Sequence, residues 1–446
     1  MRATQEATLA EMRRWGYRYV VTPTLESLEV LAVGLDAADL RRLFKLTDAD
    51  GSLLAVVGER TVPVARLVAG RLRAAPLPLR LCYAGPVLTT DPGRFTRRRE
   101  AYQVGAELVG ASGPVADAEV IAMAVRCLDA AGLRRYQVDV GHSEFFQGLL
   151  DGVALPAGLK PGVKAALARR DFVALEALLD QTPLRSAEHD LLLRFPALRG
   201  GAEILEAAGK LVRNRRSERA LNELARVSEL LGSHGLGDAV ALDLGAIRDF
   251  DYYTGVIFEG YGPDVGRPLA QGGRYDALLA RFGRPAPATG FMIHLDRMGE
   301  LLRRTKEGPE LTWLDAAVGW APAGLGEALG LAASLRMFGM RAVADTQPRS
   351  LAAALEWREA LGARHLLHIN GSGRTAWAAA NGRVRRLPTD QVVERLATLP
   401  REVGGVPGGA GGGGSREPGV PAKPASRGGE VGGVPGGAGG GGREAL

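Results

Sequence analysis

Two ten-residue runs, LRLCYAGPVL (Leu79–Leu88) and AYQVGAELVG (Ala101–Gly110), stand on either side of a charged segment, DPGRFTRRRE. Both are strand-like, and their spacing fits a hairpin of two long strands. RYVVTPTLE (Arg18–Glu26) reads as a strand broken by Pro23, and LFKLTDADGSLLAVV as two short strands around an Asp50–Gly51 turn. RTVPVARLVAGRL then begins a helix, with Val64, Leu67 and Val68 on one side.

Residues 145–232 carry helical spacing, and ILEAAGKLVRNRRSERALNELARVSELLG forms one long helix or two. Strand patterns return at AVALDLG and YTGVIFEGY, and GGRYDALLARFG reads as a turn into a helix. From Thr312 a strand–helix–strand–helix–strand alternation runs through HLLHIN, the pattern of a small α/β unit. The charged run RRTKEGPE (Arg303–Glu310) is the expected linker. Near the C-terminus EVGGVPGGAGGGG occurs twice, at Glu402–Gly414 and Glu430–Gly442, a composition too poor in apolar residues to offset its ordering entropy. The expectation is an α+β core over 1–305, mostly helical at 145–232, a small α/β domain over 312–397, and a flexible tail over 398–446.

A chain of 446 residues with 46% hydrophobic and 24% charged residues is ordinary soluble-protein material. Its formal charge of +6 permits phosphate-bearing partners without demanding them. Cys82 and Cys127 alone cannot make a disulfide scaffold, which points to a reducing, cytoplasmic setting. The N-terminus lacks the apolar core of a signal peptide, and no window reaches 18 uncharged apolar residues, so no membrane association is expected. His365 and His368, three apart in a strand, point to opposite faces. No Cys/His cluster, P-loop or dinucleotide fingerprint stands out, so neither metal nor cofactor is expected. KLVRNRRSER (Lys210–Arg219) lacks interleaved aromatics and reads as a solvated face or a partner surface.

RDFDYYTGVIFEGY (Arg248–Tyr261) sets an arginine, two acids and paired tyrosines beside a strand. Followed by GGRYDALL and ATGFMIHLDRM, it resembles the ordered signature of the histidyl-tRNA synthetases over about residues 10–300, and weakly over 312–370. The resemblance implies a class II aminoacyl-tRNA synthetase core, an antiparallel sheet flanked by helices with an amino-acid pocket on one face. It also implies a histidine site. Glu59 and Thr61 (in GERT) match the family's holders of the α-amino group, and Gln103 and Glu107 (in QVGAE) match the groups for amino acid and imidazole. Arg248 falls at the carboxylate, Tyr252 and Tyr253 on the tyrosine pair, and Tyr275 on the GGRYD tyrosine. A cation for the carboxylate, an anion for the ammonium and aromatic walls with acceptors for an imidazole form a coherent set.

The nucleotide motifs depart from the family. Its Phe-Arg-x-Glu signature reads LTTD here, with Thr89 for the α-phosphate arginine, and RPEGT has become VGERT. The glycine-rich strand that should end in arginine reads GFMIHLDR, with His294 for a glycine and Arg297 kept. Loss of one preorganised phosphate-binding charge costs on the order of 10²–10³ in rate. Arg97 and Arg99 match loop arginines and leave some phosphate affinity open. A histidine pocket without an intact ATP site resembles the paralogous family of ATP phosphoribosyltransferase regulatory subunits, as do FEGYGP and VDVGHSEFFQGLL (Val138–Leu150). That resemblance implies a non-catalytic partner of a short-form ATP phosphoribosyltransferase catalytic subunit, self-association, L-histidine as ligand, and no tRNA. A divergent histidyl-tRNA synthetase and an orphan histidine-binding paralogue are the alternatives.

Overall fold

The computed structural model of the chain describes residues 1–90, 99–153, 155–156, 158–168, 171–182, 184–195, 198–212, 214–245, 252–307, 314–379 and 383–398. Arg97, Arg248, the Arg-rich part of the loop after Leu88 and the glycine-rich repeats therefore lie outside the described residues.

The expected hairpin forms. Leu79–Leu88 and Glu100–Val109 pair antiparallel along their whole length, from Leu79 opposite Val109 to Leu88 opposite Glu100. They sit inside a nine-stranded sheet whose order is Arg18–Tyr19, Leu79–Leu88, Glu100–Val109, Ala288–His294, Ala270–Arg274, Val256–Tyr261, Gln137–His142, Val240–Asp243 and Arg199–Gly200. Neighbours run antiparallel except for the parallel pairs Arg18–Tyr19 with Leu79–Leu88, and Gln137–His142 with Val240–Asp243.

Strand alternation divides the side chains between two cores. Cys82, Val104, Ala106 and Leu108 face an apolar layer built from helices Arg2–Arg14, Pro114–Ala130 and Arg215–Ser233. Helix Pro114–Ala130 is buried almost all round, from Ala116 and Val120 to Met123 and Cys127. Leu81, Tyr83 and Val109 point the other way, into a smaller cluster with Val62, Val64, Val68, Tyr252 and Tyr275. The pocket described below belongs to that second face. Burial pushes both free thiols, Cys82 and Cys127, above their ordinary pKa.

Several local expectations are met. Pro23 separates strand Arg18–Tyr19 from strand Leu25–Ser27, and Gly51 turns between Lys45–Thr47 and Leu53–Val56 with φ +86°. The long helical stretch is two helices, Glu203–Leu211 and Arg215–Ser233, the second capped by Asn214, whose side chain accepts from Ser217 N. Three expectations are corrected. GGRYDALLARFG does turn into a helix, at Asp276–Ala277 before Leu278–Arg281, but its GGR still belongs to strand Ala270–Arg274; Gly273 has no side chain because a Cβ would lie 2.6 Å from Val256 O and 2.9 Å from the Tyr253 ring. Arg297 does not end a strand but lies in the first turn of helix Leu295–Thr305, which begins directly after His294. That helix also takes up Arg303 and Arg304 of the presumed linker, and its cationic last turn suits the helix dipole.

A five-stranded sheet follows, in the order Ala342–Ala344, Leu314–Trp320, Ala363–Ile369, Arg374–Ala378, Val384–Pro388. Its first three strands are parallel and alternate with helices Leu325–Met337 and Leu351–Leu361, as the sequence pattern indicates. The antiparallel pair that completes it is not evident from the sequence, since Val384–Pro388 is an arginine-bearing edge strand with little buried surface. His365 and His368 are both buried: Trp377 Nε1 donates to His365 Nδ1, and His368 Nε2 pairs with Arg349 O. No helix among the described residues is long and apolar enough to cross a membrane.

Candidate functional site

Three adjacent strands place the key groups. In the ladder Gly85 lies opposite Gln103, Tyr83 opposite Gly105 and Gly290 opposite Glu107, so all six project from one face. Glycine is required at position 290, where a Cβ would overlap Glu107 Oε2 and come within 2.7 Å of Ala106 O. Thr61 opens helix Thr61–Ala69, and Glu59 lies two residues ahead of it, before the cap residue Arg60. The Glu59 carboxylate accepts from Thr61 N at 2.8 Å and Val62 N at 2.9 Å, using N–H groups that the first turn of a helix leaves free.

These side chains surround a cavity with about 370 Å³ of unfilled space, part of it open to solvent. It is lined by Glu59, Arg60, Thr61, Gln103, Glu107, Tyr252, Tyr253, Gln271, Tyr275 and the Gly290–Met292 stretch. The fold thus brings together seven residues singled out from the sequence: Glu59, Thr61, Gln103, Glu107, Tyr252, Tyr253 and Tyr275. Arg248 lies outside the described residues.

Glu107 is the electrostatic centre. Its Oε1 accepts from Thr61 Oγ1 at 3.0 Å and from the Tyr83 hydroxyl at 3.2 Å, and its Oε2 accepts from the Tyr275 hydroxyl. Burial pushes the Glu107 carboxyl up to about 8, against the pull of those hydroxyls, and pushes Glu59 up to about 7 against its backbone N–H donors. Burial also raises the phenols of Tyr83, Tyr252 and Tyr275, so they remain protonated donors. The Tyr252 ring stands edge-on to Tyr275 at 5.9 Å and 4.9 Å from Tyr253, forming an aromatic wall. The cavity therefore offers two carboxyl groups held in an apolar setting, a ring-sized slot and several hydroxyl donors.

Five lining residues, Arg60, Gln271, Gly290, Phe291 and Met292, were not singled out as pocket residues from the sequence. Arg60 sits between the recognised Glu59 and Thr61, yet nothing in GERT tells where its long side chain goes. It donates from Nη1 to Thr22 Oγ1 at 3.0 Å and from Nη2 to Pro86 O at 2.7 Å. Gln271 donates to Glu259 Oε1 at 2.9 Å and turns its carbonyl oxygen to His294 Nε2 at 3.3 Å. Met292 completes that wall. Burial, with Arg297 and Arg267 nearby, depresses His294 to about 3, so the ring is neutral. It adjoins the cavity as the cross-strand neighbour of Gln103.

Of the phosphate-region arginines, Arg99 and Arg297 do not join this cluster. Arg99 is exposed, with its guanidinium 5.8 Å from the Phe44 ring, and Arg297 donates to Pro268 O at 2.7 Å. Arg97 lies outside the described residues. Among the described residues, no group of three or more His, Cys, Asp or Glu side chains is placed to hold a metal ion.

Residues 1–298 match the family model described as Histidyl-tRNA synthetase. An ATP phosphoribosyltransferase regulatory subunit from Moorella thermoacetica is 42% identical over 352 residues, covering 78% of this chain and 89% of that protein. The chain belongs to the ATP phosphoribosyltransferase regulatory subunit family. The crystal structure of an ATP phosphoribosyltransferase regulatory subunit/histidyl-tRNA synthetase from Bacillus halodurans matches with TM-score 0.69 and 32% identity, covering 83% of this chain and 93% of that one. Histidyl-tRNA synthetase from Nostoc sp. PCC 7120 matches with TM-score 0.73 over 88% of this chain and 94% of that one; at 17% identity it shares the fold alone. This chain thus has a class II synthetase-like architecture, a large, mainly antiparallel sheet flanked by helices, with a further C-terminal sheet.

Proposed function

We propose that this chain is the non-catalytic regulatory subunit of a short-form ATP phosphoribosyltransferase, acting in the first step of histidine biosynthesis, and that its cavity binds L-histidine. One observation carries the ligand reading: Glu107, held by three hydroxyls, faces the same small cavity as Glu59 and the tyrosine wall. An imidazole N–H bonds to Glu107 while its ring lies against Tyr252 and Tyr253. The α-ammonium meets Glu59, Thr61 and Gln103. Thr89 in place of a phosphate-binding arginine, and an Arg297 engaged with Pro268, favour a chain that binds histidine without activating it.

Feedback inhibition in this reading is a linkage effect. Histidine shifts the complex toward an inhibited state only to the extent that it binds that state more tightly than the active one. Self-association of the chain and assembly with the catalytic subunit are part of the same proposal.

The deciding experiment follows histidine binding by calorimetry and histidine-dependent ATP–pyrophosphate exchange on one preparation of the full chain. Binding without exchange, together with histidine-sensitive phosphoribosyl transfer after the catalytic subunit is added, is the expected result. Robust exchange would instead make the chain a histidyl-tRNA synthetase.

A further inference from the structure

Arg60 is the one cation among the described residues that line the cavity, and it is 3% exposed. Its hydrogen bonds go to neutral oxygens, the Thr22 carbonyl and hydroxyl and the Pro86 carbonyl, and no carboxylate among the described residues forms an ion pair with it. Its Nε is buried without a hydrogen-bond partner. A guanidinium kept from water without an anion is costly, and the cost falls when an anion arrives.

The backbone also fixes where that charge lies. Gly85 is the cross-strand partner of Gln103, on the cavity face, and a Cβ there would overlap the Arg60 guanidinium. Arg60 therefore occupies the space that a side chain at position 85 would fill, directly beside Gln103. Gln103 is 3% exposed, and its Oε1 is likewise buried without a partner. A donor cation and a free acceptor thus stand side by side at the end of the cavity remote from Tyr275 and Glu107.

We propose that Arg60 and Gln103 form a head-group subsite in which Arg60 receives the ligand's carboxylate and Gln103 its α-ammonium, so that the cavity selects α-amino acids over amines with the same side chain. This deepens the histidine reading and rests on it. It makes Arg60 a specificity residue, whatever Arg248 contributes from its own segment.

Calorimetry of the full chain with L-histidine and with histamine, which lacks only the carboxylate, tests it. The intact chain should prefer histidine. In Arg60→Gln the ratio of the two affinities should fall about tenfold, mostly through weaker histidine binding, the size expected for one charge-assisted hydrogen bond. Arg60→Lys should recover most of the ratio. Gly85→Ala, which leaves Arg60 in place but displaces its guanidinium, should lower the ratio in the same way and serves if Arg60→Gln does not fold. Equal loss of both ligands, or an unchanged ratio in these variants, would overturn the subsite while leaving the histidine site intact. Failure of the unaltered chain to bind either ligand would overturn the histidine reading itself, and the subsite with it.

Discussion

Thr61 donates its hydroxyl to Glu107 Oε1 across 46 positions of sequence, at 3.0 Å. The same residue's backbone N–H donates to Glu59 at 2.8 Å, so one threonine at a helix start ties together both carboxyl groups of the cavity. Thr61→Val keeps the shape and removes only the hydroxyl. Glu107 then retains two phenolic donors, and the bond lost belongs to a buried acidic group. Calorimetric histidine affinity should fall by about tenfold, and Glu107→Gln, which removes the ionisable carboxyl itself, should cost on the order of 10- to 100-fold. Both chains should fold. Unchanged affinity in Glu107→Gln would remove Glu107 from ligand recognition.

Glycine 290 invites a sharper contrast. Gly290→Ala places a methyl group where Glu107 Oε2 lies and presses on the Ala106 carbonyl, which is backbone and cannot step aside. Histidine binding should be lost and the unfolding midpoint should drop. Gly299→Ala, a few residues later in helix Leu295–Thr305, meets nothing nearer than the end of Arg303 at 3.8 Å. That change should leave binding intact and stabilise the chain by about 0.4–1 kcal/mol through reduced backbone freedom in the unfolded state. Urea unfolding of the two variants side by side checks both directions.

What was legible in the sequence depended on how local the determinants are. Gln103 and Glu107 lie an even number of positions apart in a ten-residue strand, so their shared face follows from strand alternation. The tyrosine pair and GGRYD are contiguous boxes and identified their own neighbourhood. Arg60 and Gln271 were missed because strand and helix periodicity fixes where a Cβ points, not where a long side chain ends. GGR was misread because a glycine pair signals a turn and a close interstrand approach equally well. The two-residue strand Arg199–Gly200 is too short to carry a periodic signal, and it exists because the sheet offers an edge to it.

An ion pair invisible to local reading braces the end of this sheet. Arg274 and Asp117 are 157 positions apart, and both side chains are about 95% buried, with Nη2–Oδ1 at 2.8 Å and Nε–Oδ2 at 3.1 Å. Arg274 also donates to Asp276 at 2.9 Å, so its charge is not left entirely without an anion when Asp117 is removed. Asp117→Ala should therefore destabilise the chain by about 3 kcal/mol, near the lower end for breaking a buried pair. A loss below about 1 kcal/mol in urea titration would mean that Asp276 and the carbonyls of Ala111 and Gly113 already satisfy the guanidinium.

The two cavity carboxyls also give stability without ligand a definite dependence on pH. Glu59 and Glu107 have an ordinary value of 4.5 when unfolded, and burial raises them to about 7 and about 8 in the fold. Between those limits the folded chain holds more protons than the unfolded chain, so stability falls as pH rises. Their favourable contribution is fully present below 4.5 and is lost as pH passes through the folded values. His294 acts in the opposite sense, since its depression to about 3 penalises the fold only below the ordinary histidine value of 6.5. Urea midpoints of the ligand-free chain should accordingly decline from about pH 6.5 to about pH 8.5, where the histidine contribution is already constant. Glu107→Gln should flatten that decline and raise the midpoint at the alkaline end, because a neutral amide needs no proton to remain buried. A midpoint that rises over this interval, or a slope unaffected by the substitution, would mean that both carboxyls are ionised in the empty cavity at neutral pH.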